Sequence, residues 1–98
     1  MRLEKTFVDF LIEKVIQFDP HAEIFLYGSR VNNELRGGDI DLFILSETLN
    51  FSQKLDLLVD LKIKFGEQKI DLLIKSRDQA SLDPFVQSIL PSAIRLNP

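Results

Sequence analysis

The chain has 98 residues, 45% of them apolar, which suits one small folded domain and is too apolar for a disordered chain. It contains no cysteine, which excludes disulfides, thiol catalysis and thiolate metal sites. Twelve Lys and Arg against fifteen Asp and Glu give a formal net charge of -3, which argues against a broad nucleic-acid surface but not against one nucleotide held through a metal.

Apolar runs reach only about five residues, so no membrane-crossing helix is expected. Without a secretory segment or cysteine, the chain is expected in the cytoplasm. The elements begin with Leu3, Phe7, Leu11, Val15 and Phe18, spaced by three and four, which predict an amphipathic helix ended by Asp19-Pro20. Residues 22–27 are short and rich in β-formers and predict a strand broken by Gly28-Ser29. A polar stretch through Arg30, Asn32, Asn33, Glu34 and Arg36 leads to the Gly37-Gly38 turn.

A second strand is expected over 40–45, with Ser46 or Thr48 turning the chain. A helix over 51–65 follows, stopped by Gly66, with Leu55, Leu58, Val59, Lys62 and Ile63 at helical spacing. The third strand is expected over 69–74. Asp83-Pro84 opens a short helix closed by Pro91, and 93–96 is read as an edge strand. The order predicts an α/β (α+β) fold: one small mixed sheet with helices packed against it, in a single domain over 1–98. The connection from Ser29 to Asp39 is too short and polar for a crossover helix, so the first two strands are expected to be antiparallel neighbours.

Ile40-Asp41-Leu42-Phe43-Ile44 is echoed by Ile70-Asp71-Leu72-Leu73-Ile74, which suggests that like ends of the two strands meet. Alternation sends Asp39 and Asp41 to one face, with β-carbons roughly 6.5–7 Å apart. Asp71 joins them if its strand lies alongside, at about 4.8 Å. Such carboxylates repel and raise one another's pKa, which a divalent cation relieves. Oxygen ligands without nearby histidine or thiolate favour Mg²⁺ or Mn²⁺ over zinc, and a pair of such ions suits nucleotidyl transfer. Alone, an Asp-x-Asp is more often a turn residue and an edge charge.

The companion feature is Tyr27-Gly28-Ser29-Arg30, directly after an apolar strand. Glycine allows close approach of phosphate, the next N–H groups can form an anion nest, and Ser29 adds a hydroxyl. Arg30 is a candidate for phosphate or for a surface acid. Neither a P-loop nor a dinucleotide loop is present.

Leu26-Tyr27-Gly28-Ser29-Arg30, followed by Gly38-Asp39-Ile40-Asp41-Leu42, resembles the DNA polymerase β-like nucleotidyltransferases, and within them the minimal, MNT-type domains. The resemblance implies that Gly28 and Ser29 hold a triphosphate. It implies that Asp39 and Asp41 bind metal, and that Asp71 is a third carboxylate that binds metal and helps activate the acceptor hydroxyl. It further implies ATP as substrate, a small helical HEPN-type partner, and transfer of AMP to a partner tyrosine, silencing a toxin.

Two other functions remain open: an antitoxin or scaffold that acts by binding alone, and transfer to a small molecule. The short chain places acceptor recognition on a partner or a second copy, and some of Phe7, Phe10, Phe51, Phe65 and Phe85 are candidates for that contact. His21 reads as structural or solvent-facing. Tyr27 reads mainly as packing, with a nucleotide contact as the alternative. Arg36 is a candidate for phosphate or a partner acid, and Asn32 and Asn33 read as turn formers. Lys62, Lys64, Lys69 and Lys75 read as solvated charges.

Overall fold

The structure, a computed structural model, describes residues 1–32 and 38–98. Its elements are α1 (Lys5–Phe18), β1 (Glu23–Tyr27), β2 (Ile40–Leu45), α2 (Phe51–Phe65), β3 (Ile70–Lys75), α3 (Arg77–Leu82), α4 (Pro84–Ile89) and β4 (Ile94–Arg95). Tight 3-10 turns occupy Gly28–Val31 and Leu90–Ser92.

The four strands form one mixed sheet in the order β3-β2-β1-β4. β1 and β2 are antiparallel, as expected from their short connection, and β3 lies parallel to β2 with α2 as the crossover. Alternation sorts the strands into two faces. Ile24, Leu26, Ile40, Leu42, Ile44 and Leu72 pack with Phe7, Leu11 and Val15 of α1 and Leu57 and Leu61 of α2. Phe43 faces the other way and packs with Ala80 of α3 and Val86 of α4. The candidate site carboxylates Asp41 and Asp71 share parity with Phe43, so they belong to that second, more thinly covered face.

Local chemistry explains the ends of the elements. Asn50 and Gln53 form a reciprocal capping box at the start of α2, and Ser76 and Gln79 do the same for α3. Asp83 caps α4 by accepting from Phe85 and Val86 N–H, with Pro84 in its first turn. The helix expected between Asp83 and Pro91 is present as α4, and an unanticipated helix, α3, precedes it, nucleated by the Ser76–Gln79 box. The turn after β2 is held by Ser46, whose hydroxyl donates to buried Asp19 at 2.5 Å and accepts from Leu49 N–H at 3.0 Å. β4 is extended by Asn97, which is buried, accepts from Ile24 N–H and donates to Ala22 O.

The phenylalanines divide cleanly. Phe7 is buried, and Phe10 and Phe65 pack beside it with ring centroids 5.1 Å (Phe7–Phe65) and 5.5 Å (Phe10–Phe65) apart. Phe51 and Phe85 are 70% and 51% exposed. Of the apolar residues expected at helical spacing on α2, Leu58 packs against the core, whereas Leu55, Val59 and Ile63 are exposed. Leu57 and Leu61 are the fully buried pair. No helix among the described residues is long and apolar enough to cross a membrane.

Candidate active site

Three strand ends build the site. In register, Tyr27 of β1 lies opposite Asp41 of β2, and Asp41 lies opposite Asp71 of β3. The row Tyr27–Asp41–Asp71 therefore crosses the sheet on one face, with neighbours about 4.8 Å apart at the strand spacing. Asp39 is two residues before Asp41 and shares its face.

The chain turns sharply out of β1 at Gly28, whose φ is +77°. A β-carbon at that position would overlap the Asp41 carboxylate. Gly38 is equally committed by space, because a β-carbon there would overlap the Ser29 hydroxyl. The glycine-serine turn and the carboxylate strand thus interlock through two close approaches. Gly38, expected as half of a turn and as part of the motif that resembles the nucleotidyltransferases, also has this packing role, which sequence does not reveal.

The electrostatics are unbalanced. Burial, then the charge of Asp71, then a hydrogen bond with the Asp71 carboxyl, then the charge of Asp39 push the Asp41 carboxyl above its usual range. The Lys69 ammonium opposes that shift. Tyr27 is pushed up as well, first by burial and then by the charges of Asp41 and Asp71. The Lys69 ammonium lies 3.2 Å from Asp39 Oδ2, and its own pKa is raised, first by that hydrogen bond.

Lys69 is largely exposed, as expected of a solvated charge, yet the echo between the two strands also sets it against Asp39. Lys69 stands two residues before Asp71 as Asp39 stands two before Asp41. Equivalent positions on adjacent parallel strands meet, so a cation and an anion face each other there.

The expected convergence of three carboxylates is thus half realised. Asp41 and Asp71 are paired, whereas Asp39 is engaged by Lys69. Among the described residues no three His, Asp or Glu side chains are close enough to cage an ion. In donor chemistry the set still fits a hard divalent cation. It offers only carboxylate oxygens, and it carries a proton-attracting charge at Asp41 that a cation would neutralise. Asp39 would join once released from Lys69.

Arg30 donates to the backbone carbonyls of Arg2 at 3.1 Å and Gly38 at 3.4 Å, so here it ties the loop together. His21 is exposed, near buried Asp19, far along β1 from Gly28. Tyr27 packs edge-on against Phe85 at 5.8 Å. Arg36 and Asn33 lie outside the described residues. A cavity of about 440 Å³ opens beside Asp71, between Lys54 and Leu58 of α2 and Tyr27 and Phe85 on the opposite side.

A family model described as "Polymerase beta, Nucleotidyltransferase" matches residues 11–96. None of the curated proteins matches the chain.

Proposed function

The chain belongs to the polymerase β nucleotidyltransferase family, and on that premise we propose that it is a divalent-metal-dependent adenylyltransferase moving AMP from ATP to a hydroxyl of a partner protein. The acceptor implied by the resemblance to MNT-type domains is a tyrosine of a small helical HEPN-type protein, silenced by the modification. The observation that carries the reading is the pairing of Asp41 with Asp71 directly under the Gly28 turn.

In this reading Asp39, Asp41 and Asp71 hold the metal. Mg²⁺ (or Mn²⁺) bound there supplies charge neutralisation on the triphosphate and the leaving group. Gly28 and Ser29 receive phosphate oxygens, with the glycine leaving room and the hydroxyl donating. The acceptor oxygen attacks the α-phosphorus, a new P–O bond forms, the bond to the β-phosphate oxygen breaks, and pyrophosphate leaves. Asp71, at the open edge of the site, takes the acceptor proton.

Intact-mass measurement tests the proposal. The protein, its HEPN-type partner, ATP and Mg²⁺ are combined, and the partner should gain one AMP. Folded components that give no gain across metal and nucleotide titrations would sink it. Neutralisation by binding alone is the second reading, favoured by the exposed apolar stripe of Phe51, Leu55, Val59 and Ile63 on α2. In that case a doubly substituted Asp39→Asn, Asp41→Asn protein would still silence the partner.

A further inference from the structure

The geometry points to the free edge of β3 as a docking site for an extended, hydroxyl-bearing peptide segment of the acceptor protein, added as a fifth strand. This rests on reading the site as a transferase centre.

β3 is an edge strand with β2 on one side only. Ile40 N–H donates to Lys69 O and Ser46 N–H to Lys75 O, each at 3.0 Å. Odd-numbered residues of β3 therefore turn their backbone groups toward β2. In a parallel ladder the alternate residues point away, so Ile70, Leu72 and Ile74 present theirs outward. Among the described residues, no hydrogen bond covers that edge. It carries no proline to block pairing.

A groove runs along the same edge. The cavity of about 440 Å³ is lined by Ile70, Asp71, Leu72 and Leu73. A second cavity of about 320 Å³ continues it past Ile74, and the two share Lys54, Leu73 and Lys75. A strand seated there meets the outward N–H and C=O groups, the interaction by which sheet edges capture extended peptides.

Register makes the edge more than an open ladder. The row Tyr27–Asp41–Asp71 ends at it. The residue of an added strand opposite Asp71 takes the next place in the row, with its β-carbon roughly 4.5–5.5 Å from that of Asp71. A serine or threonine there sets its hydroxyl beside the carboxylate. A tyrosine reaches it from the diagonal position, with its ring toward the exposed Phe85 and Tyr27. On the α2 side the occupant meets Leu58 and Lys54, and no ion pair to Lys54 forms among the described residues. An acidic or apolar residue next to the hydroxyl-bearing one complements that roof. Nucleic acid fits poorly, because Asp71 and Asp83 offset Lys54 and Lys75 along the groove, leaving no basic track, and an edge ladder recognises peptide groups.

The test uses the whole chain without nucleotide or metal. Random peptides with a fixed central tyrosine are selected by display, and the tightest binder is synthesised. Amide hydrogen exchange should slow at Ile70, Leu72 and Ile74. Ile74→Pro, which removes one outward donor and none of the β2 bonds, should weaken binding about tenfold. Val59→Asp on the outer stripe of α2 should leave it unchanged. Failure to select a binder would overturn the proposal, as would a footprint on the α2 stripe, or protection of the same amides by self-association without peptide. A footprint on β3 with no AMP transfer would remove the transferase reading and keep the dock. Transfer without that footprint would remove the dock alone.

Discussion

Gly28 lies so close over the Asp41 carboxylate that a β-carbon would overlap Oδ2, and its φ is +77°. One residue thus meets two independent demands, a left-handed turn out of β1 and room for the Asp41 carboxylate. Gly28→Ala should cost about 1–2 kcal/mol through the backbone alone, and should displace Asp41 as well. Gly66 separates the effects, since its φ is +81° but nothing lies within 4 Å of a β-carbon there. Both alanine variants should lower the midpoint of urea unfolding. Only Gly28→Ala should also lose Mn²⁺ binding measured by electron paramagnetic resonance. Equal loss of metal binding in both would show that the Gly28–Asp41 contact has no special role.

Asp41 is held at a cost to the fold. Its carboxyl is raised by burial and by Asp71 and Asp39, so the folded protein binds that proton more tightly than the unfolded chain does. Stability from this group is therefore greatest at low pH and falls as pH rises from the ordinary value of 3.8 through the raised one. At neutral pH in chelator, Asp41→Asn should melt higher than the natural sequence. Adding Mg²⁺ at about ten times its Kd should stabilise the natural protein by about 1.4 kcal/mol and the variant by much less. A variant that melts lower in chelator would contradict the electrostatic account.

The placement of the candidate site residues was legible in the sequence wherever one strand rule sufficed. Asp39 and Asp41 share a face by alternation, and the echo of Ile40-Asp41 in Ile70-Asp71 anticipated their meeting. What escaped depended on the third dimension. Nothing in a Gly-Gly pair announces that Gly38 will touch Ser29. Lys69 has the composition of a solvated charge until register sets it against Asp39. On α2, apolar residues occur on both sides of the helix, so spacing alone finds the core-packed Leu58 together with the exposed Leu55, Val59 and Ile63 and passes over the buried Leu57–Leu61 pair. α3 was missed because six residues carry too little periodicity, although the Ser76–Gln79 box marked its start.

Lys69 and Asp39 form an exposed, solvent-screened pair that adds little to folding. Its larger effect should fall on metal binding, because an ammonium 3.2 Å from Asp39 competes with a dication for that carboxylate. Lys69→Met should leave the melting midpoint nearly unchanged and tighten Mn²⁺ binding in the absence of nucleotide by about tenfold or less, as for loss of one competing charge contact in high dielectric. Weaker Mn²⁺ binding in the variant would mean that Lys69 supports the cation site and does not guard it.

At the opposite end of β1, Asp19 joins α1 to the turn after β2. Burial pulls its carboxyl upward, but hydrogen bonds from the Ser46 hydroxyl and His21 N–H, the His21 charge and Thr48 outweigh burial and set it below its ordinary value. Its stabilisation is therefore present above the unfolded value of 3.8 and is lost as pH falls through the lower folded one. Ser46→Ala removes the donor to Asp19 and the acceptor for Thr48 and Leu49 N–H. With buried partners left unsatisfied it should cost about 1–3 kcal/mol at pH 7. The part of that cost due to the ionised carboxylate should disappear in acid, so the gap between the two denaturation midpoints should narrow as pH falls below 3.8. A gap that stays constant from neutral to acid pH would assign the whole effect to the lost Leu49 and Thr48 bonds and leave Asp19 without a charged role.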